Sequence, residues 1–178
     1  MSKRSAVRSV HTSRSAGQCV LAFTRYPRPG ETKTRLIPRL GADGAAKLQR
    51  RLTEHALSQV DAFCESTGSS SLVFVSRSDQ DDVSNWLGPE RQYHDQLEGD
   101  LGQRLQAAFE LAFSQGAKFC VVIGIDCPTL TADVYHDAFA AMKRRSVVIA
   151  PASDGGYVLL GITRSKWSTV GPLTTWSG

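Results

Sequence analysis

The amino-acid sequence predicts a single α/β domain, built on a mainly parallel, mixed sheet with helices on both of its faces. Apolar runs of strand length alternate along the chain with segments whose apolar residues recur every three or four positions. The apolar runs are continuous, which is typical of parallel strands that are buried on both faces. At 178 residues, the chain has the length of one domain with a sizeable core.

Five segments are predicted to be strands because they are short, apolar and rich in β-branched residues. They are QCVLAFT (18–24), SLVFVS (71–76), AKFCVVIGID (117–126), SVVIAP (146–151) and GYVLLGI (156–162). The third is apolar at both odd and even positions, so we place it at the centre of the sheet.

Four helices are predicted between these strands, within 41–63, 78–88, 98–116 and 130–145. The first is expected to bury Leu48, Leu52, Ala56, Val60 and Phe63. The third is expected to bury Leu101, Leu105, Ala108, Phe109 and Ala112, and to stop near Gly116. Thr131 is the expected N-cap of the fourth. The last segment, 163–178, shows no periodicity: either the chain ends before an expected sixth element or this segment packs irregularly.

The excess of basic residues lies mostly in the first sixteen residues. That segment holds Lys3, Arg4, Arg8 and Arg14 and no acidic residue. Taking these four from the 21 basic residues leaves 17, equal to the 17 acidic residues of the chain. We therefore predict a disordered basic tail at 1–16, with a transit peptide as the alternative, and a neutral domain at 17–178. A neutral domain argues against nucleic acid as a partner; binding driven by the tail is the weakest alternative.

The cysteine pattern and the short apolar runs favour a cytoplasmic protein. Cys19, Cys64, Cys120 and Cys127 form no C-x-x-C pair, so we predict reduced and mostly buried thiols. The longest apolar runs have strand length, and none approaches the roughly 18 residues of a membrane span.

A cationic loop, FTRYPRPGETKTRL (23–36), follows the first predicted strand. Its cations are Arg25, Arg28, Lys33 and Arg35, against the single acid Glu31. Ligands of open α/β sheets bind beyond the carboxyl ends of the strands, and Arg and Lys bind phosphate oxygens. If the loop is extended, Lys33 and Arg35 lie on one side of it. The loop is a candidate phosphate cradle, with a solvated loop as the alternative; neither common glycine-rich phosphate motif is present.

Two aspartates follow other strands of the predicted sheet. Asp126 ends the central strand and Asp154 follows the fourth strand, before Gly155 and Gly156. Two carboxylates at one sheet edge can share a hard cation such as Mg²⁺. The alternatives are a helix cap for Asp126, although Thr131 is better placed for that role, and an ordinary hairpin turn for Asp154.

The segment EGDLGQRL places Asp100 and Arg104 at helical spacing, with Gly99 and Gly102 around the turn. One interpretation is a capped helix with an ion pair between residues i and i+4. The other is a nucleotide-contacting turn at a helix N-terminus. The sequence leaves both open.

Four motifs together resemble a known family. FTRYPRPGETKTRLIPRLG, GDLGQRL, VVIGIDCPTLT and PASDGGYVLLGI are similar to the selenodomain-associated, glycosyltransferase-A-like transferases. That family belongs to the nucleotide-diphospho-sugar transferase superfamily, which also holds molybdenum-cofactor and phospholactate guanylyltransferases. The resemblance spans about 18–162 and implies a Rossmann-like GT-A fold.

The resemblance also implies site residues. The implied nucleotide-binding residues are Phe23, Thr24, Arg25, Gly30, Lys33, Arg35, Asp100, Gly102 and Arg104. Asp126 is the implied ligand of Mg²⁺ or Mn²⁺, with Asp154 as a second ligand or a substrate contact. Lys33, Arg35 and Asp126 are the expected catalytic residues.

The expected function is metal-dependent transfer from a nucleotide donor to a small acceptor. The donor is a nucleotide-sugar in glycosyl transfer or a nucleoside triphosphate in nucleotidyl transfer, and the sequence does not decide between them. Similar proteins continue with further helix after the last strand, so the alternative is a truncated, non-catalytic nucleotide-binding module.

Overall fold

The computed structural model describes residues 17–76 and 80–170. The predicted disordered tail at 1–16 and the last residues of the irregular segment, 171–178, lie outside the described residues. The strands are β1 Gln18–Arg25, β2 Ser70–Ser76, β3 Tyr93–Asp95, β4 Phe119–Gly124, β5 Val147–Pro151 and β6 Tyr157–Thr163. The helices are α1 Ile37–Thr67, α2 Gln80–Leu87, α3 Leu101–Ser114, α4 Ala132–Met142 and α5 Arg164–Val170, with a 3₁₀ turn at Thr34–Leu36 before α1.

The six strands form one sheet in the order β3-β2-β1-β4-β6-β5. Strands β3, β2, β1 and β4 are parallel to one another, and β6 runs antiparallel to both of its neighbours. This confirms the predicted mainly parallel, mixed sheet. The chain moves outward from β1 to β2 and β3 and then returns to place β4 on the other side of β1. The carboxyl ends of β1 and β4 therefore lie side by side at the point where the strand order reverses.

Helices cover both faces of the sheet, as predicted. One face buries an apolar cluster between the sheet and α1, α2 and α4, with Phe63, Tyr135 and Phe139 among its large side chains. The other face buries a second cluster against α3 and α5, including Phe109 and Phe113. No helix within the described ranges is long and apolar enough to cross a membrane.

The predicted buried face of α1 is wrong in its first half. The helix buries Gln49 and Thr53, whereas Leu48 and Leu52 are only half-buried. Gly41 interrupts the helix with φ 70° and ψ 167°, so the regular part begins where the sequence placed it. It ends at Gly68, which adopts φ 68° and donates its N–H to Cys64 O.

Three further features differ from the predictions. Strand β3 was not predicted, because a three-residue edge strand carries almost no periodic signal. Leu101 is 57% exposed rather than buried in the face of α3. The start of the segment predicted to be irregular forms α5, whose Trp167 ring lies 5.2 Å from Phe109 and 5.9 Å from Phe113. A long-range aromatic contact, not local periodicity, stabilises this helix.

All four cysteines are free thiols, which agrees with the predicted reduced state. Cys19 and Cys120 are buried, whereas Cys64 and Cys127 are half-buried. Burial raises the pKa of the Cys64 thiol to about 12, so this side chain is protonated and unreactive at neutral pH.

Candidate functional site

A cavity of about 650 Å³ opens at the carboxyl ends of β1 and β4, where the strand order reverses. This is the position at which open α/β sheets bind ligands. The volume lies within the range of small-molecule sites. Its wall combines residues from the end of β1, the loop before α1, the start of α3 and the end of β4.

The cavity brings together most of the predicted site residues. Seven of them line it: Phe23, Thr24, Arg25, Lys33, Arg35, Arg104 and Asp126. Four others do not: Gly30, Asp100, Gly102 and Asp154. Four cations from three segments of the chain therefore lie around one open space.

Lys33 and Asp126 form an ion pair on the cavity wall. The ammonium of Lys33 donates a hydrogen bond to Asp126 Oδ1 at 2.8 Å. The Lys33 side chain is 12% exposed, whereas that of Asp126 is 75% exposed. The carboxylate therefore remains open to solvent and to a ligand on the side away from Lys33.

The backbone of the cationic loop is not extended at Lys33, so that assumption was wrong. Lys33 adopts the left-handed conformation, with φ 47° and ψ 43°, and is the one non-glycine residue with positive φ among those the structure describes. The chain then enters the 3₁₀ turn that contains Arg35. Such a conformation costs about 1 kcal/mol or more for a side chain with a Cβ atom, and it is concentrated at functional sites.

Local hydrogen bonds hold the loop before Lys33. Glu31 N–H donates to Arg28 O at 3.2 Å, and the buried hydroxyl of Thr32 donates to the same oxygen at 3.1 Å. Gly30 has φ 82°, a conformation that glycine adopts without strain. Gly30 thus shapes the loop instead of lining the cavity.

A buried polar network fixes the end of β1 against α1. The hydroxyls of Thr24 and Thr53 lie 2.7 Å apart, and Thr53 donates to Gln49 O at 3.0 Å. Each hydroxyl has one proton and also a carbonyl acceptor, Arg25 O at 3.4 Å for Thr24 and Gln49 O for Thr53, so either threonine can be the donor between the two. Gln49 Nε2 donates to Thr24 Oγ1 at 3.2 Å and to Arg25 O at 3.3 Å.

The start of α3 resolves the two interpretations of Asp100 and Arg104. Asp100 and Gln103 form a reciprocal capping box, with hydrogen bonds of 2.8 and 3.0 Å. Asp100 is therefore a helix cap, and the described residues contain no ion pair between Asp100 and Arg104. Arg104 lines the cavity instead, and its Nε is buried without a partner among the described residues. A buried N–H without an acceptor is a donor available to a ligand.

Asp154 lies in the turn between β5 and β6. Because β5 is parallel to β4, this turn is at the same edge of the sheet as Asp126. The Asp154 carboxylate accepts a hydrogen bond from Gly156 N–H at 3.1 Å, and Gly155 has φ 90°. Asp154 thus stabilises a hairpin turn, which was the alternative interpretation.

Sequence reasoning missed two glutamines of the cavity wall, Gln49 and Gln96. Gln49 is a polar residue on the buried side of an amphipathic helix, a signal that the sequence does contain. Gln96 follows the unpredicted strand β3, and nothing local marks it. Leu36 and Leu101 also line the cavity and are 37% and 57% exposed, so they form an apolar part of its rim.

The solved structures that this chain resembles include a protein assigned as a nucleotide-diphospho-sugar transferase and a cytidylyltransferase. A protein from Desulfovibrio desulfuricans G20, assigned as a nucleotide-diphospho-sugar transferase, superposes with a TM-score of 0.77 at 30% sequence identity. The match covers 83% of this chain and 64% of that protein. The chain thus spans less than two thirds of the length of this relative.

Two more distant structures share the fold alone. One is the 4-diphosphocytidyl-2C-methyl-D-erythritol synthase of Anaerococcus prevotii, with a TM-score of 0.56 at 9% identity, over 87% of this chain and 75% of the enzyme. The other is a cytidylyltransferase of Leptospira borgpetersenii, with a TM-score of 0.52 at 14% identity, over 86% and 63%. These likenesses confirm the predicted GT-A-like fold.

A comparison of the sequence with curated proteins found no match. Residues 58–175, which include α3, β4 and Asp126, match the family DUF2064, described as "uncharacterized protein conserved in bacteria". That range is more than half of the chain, and we conclude that the chain belongs to the DUF2064 family.

Proposed function

We propose that this protein is a transferase that takes its donor group from a nucleoside triphosphate or a nucleotide-sugar. The observation that carries the proposal is the convergence of Arg25, Lys33, Arg35 and Arg104 on one cavity beside Asp126. The 30% identical Desulfovibrio protein and the resemblance of the four motifs to the selenodomain-associated and guanylyltransferase relatives support it.

The cations would bind the phosphates of the donor. Arg25 and Arg35 are both exposed, so their guanidinium groups can reach a ligand in the open cavity. Lys33 supplies a point charge held in place by Asp126, and Arg104 supplies a donor that has no acceptor within 17–76 and 80–170. Both glycosyl and nucleotidyl transfer release a phosphate-bearing leaving group, so such a clamp stabilises the transition state of either reaction.

The residues of the cavity fit a divalent cation that arrives with the phosphates. The described residues include no group of three or more His, Cys, Asp or Glu side chains that could hold a metal without further ligands. Mg²⁺ commonly binds through one or two carboxylates together with substrate phosphates and waters, and Asp126 offers such a carboxylate. A bound Mg²⁺ or Mn²⁺ would supply charge neutralisation at the donor phosphates. Asp154, at the same sheet edge, is the candidate for a second ligand.

In this proposal, Lys33 exchanges its contact with Asp126 for a contact with a phosphate. That exchange frees the carboxylate for the cation without leaving either charge unpaired. Lys33, Arg35 and Asp126 are therefore the proposed catalytic residues. None of them acts as a nucleophile, because the acceptor itself attacks the sugar carbon or the α-phosphorus.

Calorimetry with the four nucleoside triphosphates and common nucleotide-sugars, with and without Mg²⁺, tests the proposal. We expect at least one to bind, Lys33→Met to weaken its binding about tenfold or more, and the same variant to leave nucleoside binding unchanged. Asp126→Asn should remove the increase in affinity that Mg²⁺ causes, and Asp154→Asn tests the second ligand. Lys118→Met, which removes an exposed cation at the opposite sheet edge, is the matched control.

Failure of all these ligands to bind would refute the proposal. Binding without turnover on any acceptor would instead favour the alternative, a nucleotide-binding module that is not catalytic. Release of pyrophosphate from a triphosphate or of a nucleoside diphosphate from a nucleotide-sugar distinguishes nucleotidyl from glycosyl transfer.

A further inference from the structure

We propose that this cavity selects a nucleobase that carries an exocyclic amine, and that the side-chain oxygens of Gln49 and Gln96 make the selection. The inference rests on the proposed function, because it names the class of nucleotide that the same cavity takes. Both glutamines line the cavity, and the amides of both donate hydrogen bonds to the end of β1.

The amide of Gln96 has its orientation fixed by chemistry. Its Nε2 donates to Thr24 O at 2.8 Å and to Phe74 O at 3.0 Å. Both partners are backbone carbonyl oxygens, which accept and cannot donate, so only the nitrogen can face them. The other end of the amide, Oε1, has no hydrogen-bond donor among the described residues, and it is not one of the buried unpaired atoms. It is therefore an accessible acceptor on a side chain that lines the cavity.

Gln49 repeats this arrangement from α1. Its residue is 4% exposed, and its Nε2 donates to Arg25 O and to Thr24 Oγ1. Because the carbonyl oxygen of Arg25 can only accept, the nitrogen of the Gln49 amide is the atom that faces it. Gln49 Oε1 also has no hydrogen-bond donor among the described residues, and it is not one of the buried unpaired atoms. Although the residue as a whole is 4% exposed, this oxygen is therefore an acceptor that a ligand in the cavity can reach.

These two oxygens need a ligand that donates hydrogen bonds. Phosphates only accept at neutral pH, and the cations of the wall already suit them. A nucleobase needs an apolar surface for its ring as well as partners for its edge. Phe23 and the exposed Leu101 line the same cavity as Gln96 and can contact a ring. We therefore assign the two oxygens to the edge of the base.

The amine is the feature that such oxygens distinguish. Adenine, cytosine and guanine each carry an exocyclic NH₂ donor. Uracil has a carbonyl oxygen where cytosine has its amine, and hypoxanthine has one where adenine has its amine. An amide oxygen held by two hydrogen bonds on its nitrogen cannot turn to offer a donor to that carbonyl. A base with a carbonyl at that position would place its oxygen against the glutamine oxygen, and two acceptors facing each other lower the affinity.

The test compares matched nucleotides by calorimetry: CTP with UTP, ATP with ITP, and GTP with ITP. We expect the amine member of at least one pair to bind about tenfold or more tightly in the wild-type protein. Gln96→Met or Gln49→Met should reduce that ratio to about threefold or less, because methionine fills a similar volume without the oxygen. Gln92→Met, an exposed glutamine outside the cavity, is the matched control and should keep the ratio.

Two further measurements distinguish base selection from a structural role of the glutamines and from ribose binding. Gln96 also links β1 to β2 by hydrogen bonds, so circular dichroism and a thermal midpoint check that each variant is folded. If the role of a glutamine were purely structural, its replacement would weaken the binding of both members of a pair equally and leave the ratio of affinities unchanged. The matching 2′-deoxynucleotide tests whether the oxygens bind the ribose. If removal of the 2′-hydroxyl accounts for the whole difference in affinity, the oxygens bind hydroxyls and the inference is wrong.

The outcomes are distinguishable from those of the proposed function. Equal binding of the two members of every pair, with and without the amine, by the wild-type protein overturns the inference while leaving nucleotide binding intact. A ratio that survives in both methionine variants overturns the role of the glutamines. Failure of every nucleotide to bind overturns the proposed function together with the inference.

Discussion

Lys33 Nζ and Asp126 Oδ1 lie 2.8 Å apart, although 93 positions separate the two residues in the sequence. The pair joins the loop after β1 to the loop after β4, at the point where the strand order reverses. It also joins the two kinds of charge that a nucleotide site requires, a cation for phosphate and a carboxylate for a metal. The backbone around Lys33 is in the left-handed region, so this position is unfavourable for any residue with a Cβ atom.

The Lys33–Asp126 pair should contribute little to stability. Asp126 is 75% exposed, and ion pairs with an exposed partner contribute about 0–1 kcal/mol. We expect Lys33→Met and Asp126→Asn each to change the free energy of unfolding in urea by less than about 1 kcal/mol, with a coupling of the same size in the double variant. A loss of more than about 3 kcal/mol would mean that the pair is structural. Weakened ligand binding in these variants could then not be assigned to the site.

The hydroxyl of Thr53 should matter for stability more than its small size suggests. It lies 2.7 Å from the Thr24 hydroxyl and donates to Gln49 O at 3.0 Å, and both threonines are buried. Thr53→Val keeps the shape but removes both hydrogen bonds from a buried network, so we expect a loss of about 1–3 kcal/mol in urea unfolding. The double variant Thr24→Val/Thr53→Val removes both groups and should lose less than the sum of the two single changes. Wild-type stability in Thr53→Val would contradict the network.

Trp167 should hold α5 on the sheet. Its ring contacts Phe109 and Phe113, and α5 is only seven residues long, too short to form without tertiary contacts. We expect Trp167→Ala to lower the free energy of unfolding by about 2–3 kcal/mol, measured by circular dichroism in urea. Trp167→Phe keeps an aromatic ring and is expected to lose less than half of that amount. If the alanine variant is as stable as the wild type, α5 does not depend on this contact.

His94 should make the protein less stable in acid. Burial lowers the pKa of His94 from its ordinary value of 6.5, and its Nε2 is buried without a partner among the described residues. The unfolded chain therefore binds a proton at a higher pH than the folded chain does. Stability from the neutral ring is fully present above about pH 6.5 and is lost as the pH falls from there toward the lowered pKa.

The variant His94→Phe should show a smaller loss of stability between pH 7.5 and pH 5.5, measured by urea unfolding at both values. At pH 7.5, where the ring is neutral in both states, any difference between the two proteins reports packing alone. Parallel pH dependences of the variant and the wild type would contradict the role of His94.

Much of the fold can be predicted from the sequence because most helices and strands are determined by residues that are close together in the chain. In the part of the chain that the structure describes, continuous apolar runs and three-to-four-residue periodicity identify five of the six strands and four of the five helices. The exceptions are informative. Strand β3 has three residues and α5 has seven, so each contains fewer than two full periods of its pattern, and both are stabilised by contacts with distant parts of the chain.

The sequence likewise predicts some residues of the candidate site, whereas the roles of others required the structure. Residue types and their positions after strands identify Lys33, Arg35 and Asp126, because strand ends meet at one edge of a parallel sheet, whereas the role of Arg104 was left open by its spacing and implied only by the family resemblance. The roles of Asp100 as a helix cap and Asp154 as a turn residue could not be separated from ligand contacts by spacing alone. The hydrogen bonds that the two carboxylates accept identify Asp100 as a cap and Asp154 as a turn residue, and those bonds depend on backbone geometry.

The sequence by itself determined the class of fold and the loops in which the charges lie, since propensity and periodicity act over a few residues. The tertiary structure alone decided which charges meet and which polar atoms remain without partners. The Lys33–Asp126 pair requires β1 and β4 to lie side by side, and the orientation of Gln96 requires carbonyls from β1 and its other neighbour, β2. Such contacts form between groups that are remote in the chain, and only folding brings them within hydrogen-bond distance.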